Sequence, residues 1–188
     1  MPITQLDPAA ALVVIDLQKG IASLPTAHPA CEIIARAARL AKAFRQRSLP
    51  VVQVNVTGAA PGRTDTPRNT MAFQDGWTEL APELDLQPGD HLVSKQRWGA
   101  FLGTSLDEYL RGRGVTQVVL VGISTSVGVE STARSAFDLG YNVALVTDAM
   151  TDRDLEAHRR SVETIFPRLG ETDVTANVLK LLEGAQAG

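Results

Sequence analysis

At 188 residues, 44% apolar and 21% charged with a formal net charge of −3, the chain has the make-up of one soluble α/β domain. It carries no excess of positive charge to draw it to nucleic acid or anionic lipid. A single cysteine, Cys31, excludes an internal disulfide framework and a cysteine-built zinc site.

Apolar strand-like runs alternate with helix-period stretches from end to end, the pattern of a mostly parallel sheet covered on both faces. Strands are expected at 11–16, 50–56, 91–94, 117–121 and 142–147, with a weak last one at 171–174. Between them, Ile33, Ile34, Ala37, Ala38, Ala41 and Phe44 recur at helical spacing, opposite a basic face that includes Arg36, Arg39 and Lys42. Thr104 and Asp107 read as a capping-box variant ahead of Leu106, Tyr109 and Leu110. Val129, Ala133, Ala136 and Phe137 mark one face of a further helix that Gly140 is placed to end. Thr151 and Asp154 open another, and Val178, Leu181 and Leu182 belong to a short final one. The stretch 57–88 is different, rich in Gly, Pro, Thr and Asp with no apolar period, and is expected to form a pocket wall. No linker interrupts the alternation, so one domain over 1–188 is expected. No apolar run approaches the roughly 18–20 residues that span a bilayer. The opening MPITQLDPAAALVVID lacks a basic n-region and a cleavage pattern, and a cytoplasmic location is expected.

Three of the predicted strands end on residues that carry chemistry: Asp16 after the first, Lys95 after the third, and the Ser124–Gly128 turn after the fourth. Ligands of doubly wound sheets bind outside the carboxyl ends of the strands. All three segments are therefore expected to open onto one edge.

The segments VVIDLQ around Asp16, SKQRWGAFLGTSLDEYLR from Ser94, VVLVGISTSVGVESTARSAFDLGYNV from Val118 and VTDAM around Asp148 together resemble the isochorismatase-like, or cysteine hydrolase, superfamily. The resemblance implies a three-layer α/β/α sandwich with a six-stranded, mostly parallel, Rossmann-like sheet. It further implies that Asp16 and Lys95 match the Asp and Lys of the amidase members, whereas their nucleophilic cysteine matches Gly128. A non-proline cis peptide would fall at Ile123–Ser124, and the oxyanion hole would map onto the N–H groups of Ser124 and Gly128. Nicotinamidase-type members hold a metal after the second strand, but the corresponding stretch NVTGAAPGRTD has no histidine, so neither metal nor cofactor is expected. The resemblance also implies a homodimer or homotetramer, for which loop residues Met71, Phe73 and Trp77 are a hint.

A thioester needs a thiolate, and glycine supplies none. Cys31, beside apolar Ile33 and Ile34, reads as a buried structural thiol. Ser124, Thr125 and Ser126 lack the G-x-S-x-G pattern of a nucleophile elbow. The true isochorismatases of the superfamily are similar to this chain in having Gly at that position, and they cleave a vinyl ether without a nucleophilic side chain. On that resemblance Asp16 is the acid that protonates carbon, Lys95 its partner or the partner of a substrate carboxylate, and Gly128 the residue that leaves room. An acid working near neutrality needs a raised pKa, and a charged Lys95 acts against that. The opposition is left open by the sequence.

Substrate contacts are expected from Gln18, which also orders the loop after Asp16, and from Trp98, Phe101, Ser124 and Thr125. Trp98 and Phe101 fit equally well as packing under Thr104. An anionic substrate is expected to meet an arginine, with Arg63, Arg68 and Arg97 as candidates. Asp148 reads as a structural cap and His158 as a satisfied, partly buried histidine. Two other readings stay open: C–N hydrolysis by water or a serine, and a silent small-molecule binding or accessory protein.

Overall fold

The computed structural model describes residues 2–65 and 74–184. Six parallel strands form one sheet in the order β3-β2-β1-β4-β5-β6. They are β1 (Ala10–Ile15), β2 (Val51–Val56), β3 (His91–Lys95), β4 (Gln117–Ile123), β5 (Asn142–Thr151) and β6 (Glu171–Asp173). The helices are α1 (Lys19–Ala22), α2 (Ala30–Gln46), α3 (Leu106–Gly112), α4 (Glu130–Asp138), α5 (Leu155–Arg160) and α6 (Thr175–Gly184).

Every residue of β1 and β4 is buried, which is why both read as continuous apolar runs rather than alternating ones. The pleat divides them between two cores. Ala10, Leu12 and Val14 with Val119 and Val121 face α2 and α6. Ala11, Val13 and Ile15 with Val118 and Leu120 face α3 and α4. Three layers result, as the resemblance implied. Among the described residues no helix is long and apolar enough to cross a membrane.

Strand order places the site. From β1 the chain winds outward through β2 to β3, then returns to β4 on the other side of β1 and winds away through β5 to β6. The switch in direction lies between β1 and β4, the two strands followed by Asp16 and by the Gly128 turn. Gly122 allows those strand ends to close up: its φ is +131°, and a Cβ there would sit 2.0 Å from the Ile15 carbonyl oxygen.

The strands match their expected positions within a residue or two except at β5, which runs on to Thr151. Its register against β4 shifts between Leu120 and Gly122, so an irregularity in mid-strand hides the continuation from any period-two pattern. At that irregularity Asp148 leaves the ladder and accepts from Thr175 N and Oγ1 at 2.7 and 2.8 Å. It therefore caps α6, the structural role expected of it.

Of the stretch 57–88, one part borders a cleft and another does not. Trp77 packs where a Gly20 side chain would be, since a Cβ on Gly20 would fall 2.1 Å from its indole. Lys19 pairs with Glu79, and Gly20 N–H donates to the Trp77 carbonyl at 3.0 Å. The aromatic proposed as an oligomer hint thus packs against its own α1. Met71, Phe73 and Arg68 lie outside the described residues.

Candidate active site

Asp16 leaves the end of β1 with φ +53°, a left-handed conformation that Asp tolerates better than most residues, and its N–H donates to Val54 O at 2.9 Å. The turn takes the side chain out of the strand's alternation. Lys95 reaches the same point from two strands away. On edge strand β3, Val93 and Lys95 are the buried positions while Leu92 and Ser94 are exposed, so the period of two carries the ammonium inward. Its Nζ donates to Asp16 Oδ2 at 2.7 Å and to the Arg97 carbonyl at 3.1 Å. Asp16 and Lys95 are only 5% and 2% exposed. The other carboxyl oxygen, Asp16 Oδ1, is buried and meets no hydrogen-bond partner among the described residues.

Burial and Lys95 pull the Asp16 carboxyl in opposite directions, and burial wins. Desolvation raises its pKa from 3.8 to about 6, despite the lowering charge and hydrogen bond of Lys95. The opposition open in the sequence is thus decided by depth.

The turn after β4 completes the floor. The Ile123–Ser124 peptide is cis. Residues Thr125–Val129 form a single π-helical turn leading into α4. Gly128 lies directly over the acid, where a Cβ would stand 3.0 Å from Ile15 Cγ2 and 3.2 Å from Asp16 Oδ2. Any side chain here crowds the carboxyl. Asp16, Lys95, Ser124 and Gly128 all line one cleft of about 810 Å³, walled by apolar groups such as Ile21, Val56 and Val127. A carboxylic acid beside a fixed cation, opening onto a cleft with apolar walls, can protonate a bound substrate.

The isochorismatase domain family matches residues 10–177 of this sequence. The chain belongs to the isochorismatase family. An uncharacterised isochorismatase-family protein of Bacillus subtilis, YwoC, is 41% identical over 177 residues, covering 90% of this chain and 92% of the relative. Ureidoacrylate amidohydrolase RutB of Methylobacterium radiotolerans is 31% identical over 219 residues, with 97% and 84% covered. A solved isochorismatase-family structure from Burkholderia thailandensis superposes with a TM-score of 0.92 at 43% identity, covering 95% and 98%. The protein is an isochorismatase-family hydrolase with the family's α/β fold.

Within this isochorismatase-family site, the residues expected at the substrate divide. Trp98, 69% exposed, and Ser124 line the cleft. Gln18 does not: it is fully buried, donating through Nε2 to the carbonyls of Val56 and Trp77 and accepting from Val56 N–H at 2.7 Å. With both ends of its amide engaged, it ties β2 to the strap at 74–80. Phe101 is in the core, tilted against Tyr141 with ring centroids 5.8 Å apart, and does not line the cleft. Thr125 is also buried away from it, its hydroxyl 2.8 Å from His158 Nδ1. Arg63 is exposed and outside the lining, whereas Arg97 is part of it. Cys31 is exposed, contrary to the buried thiol expected: the helix it begins turns Ile33 and Ile34 inward and leaves it outside.

Two side chains support the turn: Asp152, which was not foreseen, and His158, the satisfied histidine expected. Asp152, just beyond β5, accepts from Ser126 N–H and Oγ–H at 2.7 and 2.8 Å through Oδ2, and from Arg153 N–H at 2.7 Å through Oδ1. His158 braces Thr125 and stands edge-on to His28 at 4.9 Å. Burial first, then His28, holds the His158 pKa below the ordinary histidine value. A second Asp four residues after Asp148 was the available signal, obscured by ending β5 early. Asp152→Ala strands the Ser126 donors, and a loss of about 2–4 kcal/mol in urea unfolding is expected, as hydrogen bonds to charged groups are worth roughly 1.5–3 kcal/mol each.

Proposed function

We propose that this hydrolase cleaves a vinyl ether in a small polar metabolite by acid-assisted addition of water, with no covalent intermediate. The observation carrying the reading is the division of labour within one carboxyl group: Lys95 holds Oδ2, the oxygen that lies beneath Gly128, while Oδ1 is buried with no hydrogen-bond partner among the described residues. A proton on Oδ1 has no acceptor among the described residues, and the substrate takes that place. The C=C electron pair takes this proton at the terminal carbon, leaving an oxocarbenium ion at the carbon bearing oxygen. Water adds there and returns a proton to the Asp16 carboxylate. The hemiketal then breaks its C–O bond, giving a ketone and an alcohol. Lys95 keeps the carboxyl in place and balances the carboxylate formed after proton transfer.

Hydrolysis of an enolpyruvyl ether in deuterium oxide tests the step directly. One deuterium is expected in the methyl group of the pyruvate released, at a rate dependent on Asp16, by NMR. A second reading, C–N hydrolysis, is favoured by the similarity to ureidoacrylate amidohydrolase and by Ser124 at the cleft. Release of ammonia from ureido compounds or amides, with enol ethers left intact, would replace the first reading by the second.

A further inference from the structure

Among the described residues, four ionisable side chains line the cleft: Asp16, Lys95, Asp65 and Arg97. The first two are buried and joined to each other. Asp65 is exposed and Arg97 half-buried, so they lie nearer the opening, and among the described residues neither forms an ion pair. With Asp16 protonated, as a proton donor must be, the described lining carries one net positive charge.

A ligand that fills the cleft displaces water from both outer groups. It must then offer an anion to the guanidinium and an N–H or O–H donor to the carboxylate, or leave a charge desolvated and unmatched. We infer that the substrate is a singly charged carboxylate that also bears a hydroxyl, amine or amide N–H, and that Asp65 is the specificity-determining residue that turns doubly charged anions away. The inference rests on the vinyl-ether reading for the bond that is cut, whereas the charge selection rests on the lining alone. A second carboxylate gains nothing from Asp65, the other outer ionisable group among the described residues, because like charges brought together select against the wrong partner.

Saturated 2-alkoxypropanoates, which no acid of this kind can hydrolyse, separate binding from turnover. Two such ethers, one with a hydroxyalkyl arm and one with a carboxyalkyl arm, are titrated by calorimetry into the wild type, Asp65→Asn and Arg97→Gln. The wild type is expected to favour the hydroxyl ether by about tenfold, Asp65→Asn to reduce that preference to about twofold by binding the dicarboxylate more tightly, and Arg97→Gln to weaken both. A preference that Asp65→Asn leaves unchanged, a wild type that favours the dicarboxylate, or binding of neither ether overturns the inference. The matching enol ethers are then assayed for turnover. Charge preference without turnover sinks the vinyl-ether reading and leaves this one standing. Turnover with a preference indifferent to Asp65 does the reverse.

Discussion

Asp16→Asn is expected to lower kcat for enol-ether hydrolysis by about 10²–10⁴-fold, the range over which a positioned general acid contributes. The carboxamide keeps an oxygen for Lys95 but has no acidic proton, so ligand binding should survive while turnover does not. The pH profile supplies the sign. Only the protonated carboxyl can donate, so wild-type kcat/KM is expected to be high below the Asp16 pKa and to fall as pH rises through about 6. The residual activity of Asp16→Asn should lack that limb. A wild-type profile that instead rises through pH 6 would make the carboxylate, not the acid, the working form. The same shift bears on stability. A carboxyl raised from 3.8 to about 6 contributes stability that is full below the lower value and is lost as pH rises through the upper one.

Lys95→Met carries the second large effect. The lysine's charge and hydrogen bond are what restrain the Asp16 pKa, so their removal is expected to move the descending limb of kcat/KM to higher pH than in the wild type. KM for a carboxylate substrate should rise as well, because a buried cation beside the acid is gone. Breaking a buried ion pair is destabilising by about 3–5 kcal/mol when the partner stays charged. Here the partner can take up a proton. The loss in urea unfolding should therefore be greatest above pH 8 and shrink as pH falls and Asp16 becomes neutral. A limb that stays in place would mean that Lys95 does not act on the Asp16 carboxyl.

Much of the fold was legible because fully buried parallel strands have an unambiguous signature. The runs ending at Asp16, Lys95 and Ile123 stand out from their surroundings, and a charged residue at the end of an apolar strand has few reasons to be there. The side chains of Gln18, Phe101 and Thr125 were harder to place. Each sits within a few residues of a group that lines the cleft, and nothing in local spacing says that these three turn toward the core instead. Asp152 was missed because the register shift in β5 breaks the pattern on which a strand's length is judged.

By itself the sequence determined the layer order, the edge on which chemistry gathers, and the absence of a nucleophilic sulfur at Gly128. The first two follow from periodicity and residue type, which are local, and the third from the resemblance to the family. Only the tertiary structure decided how Asp16 behaves. Its proton affinity depends on how deeply β1 ends beneath the π-helical turn and on a lysine delivered from β3, 79 positions away. Desolvation and a through-space charge act in opposite directions on one carboxyl, and their balance is set by depth and distance, quantities that no spacing along the chain encodes.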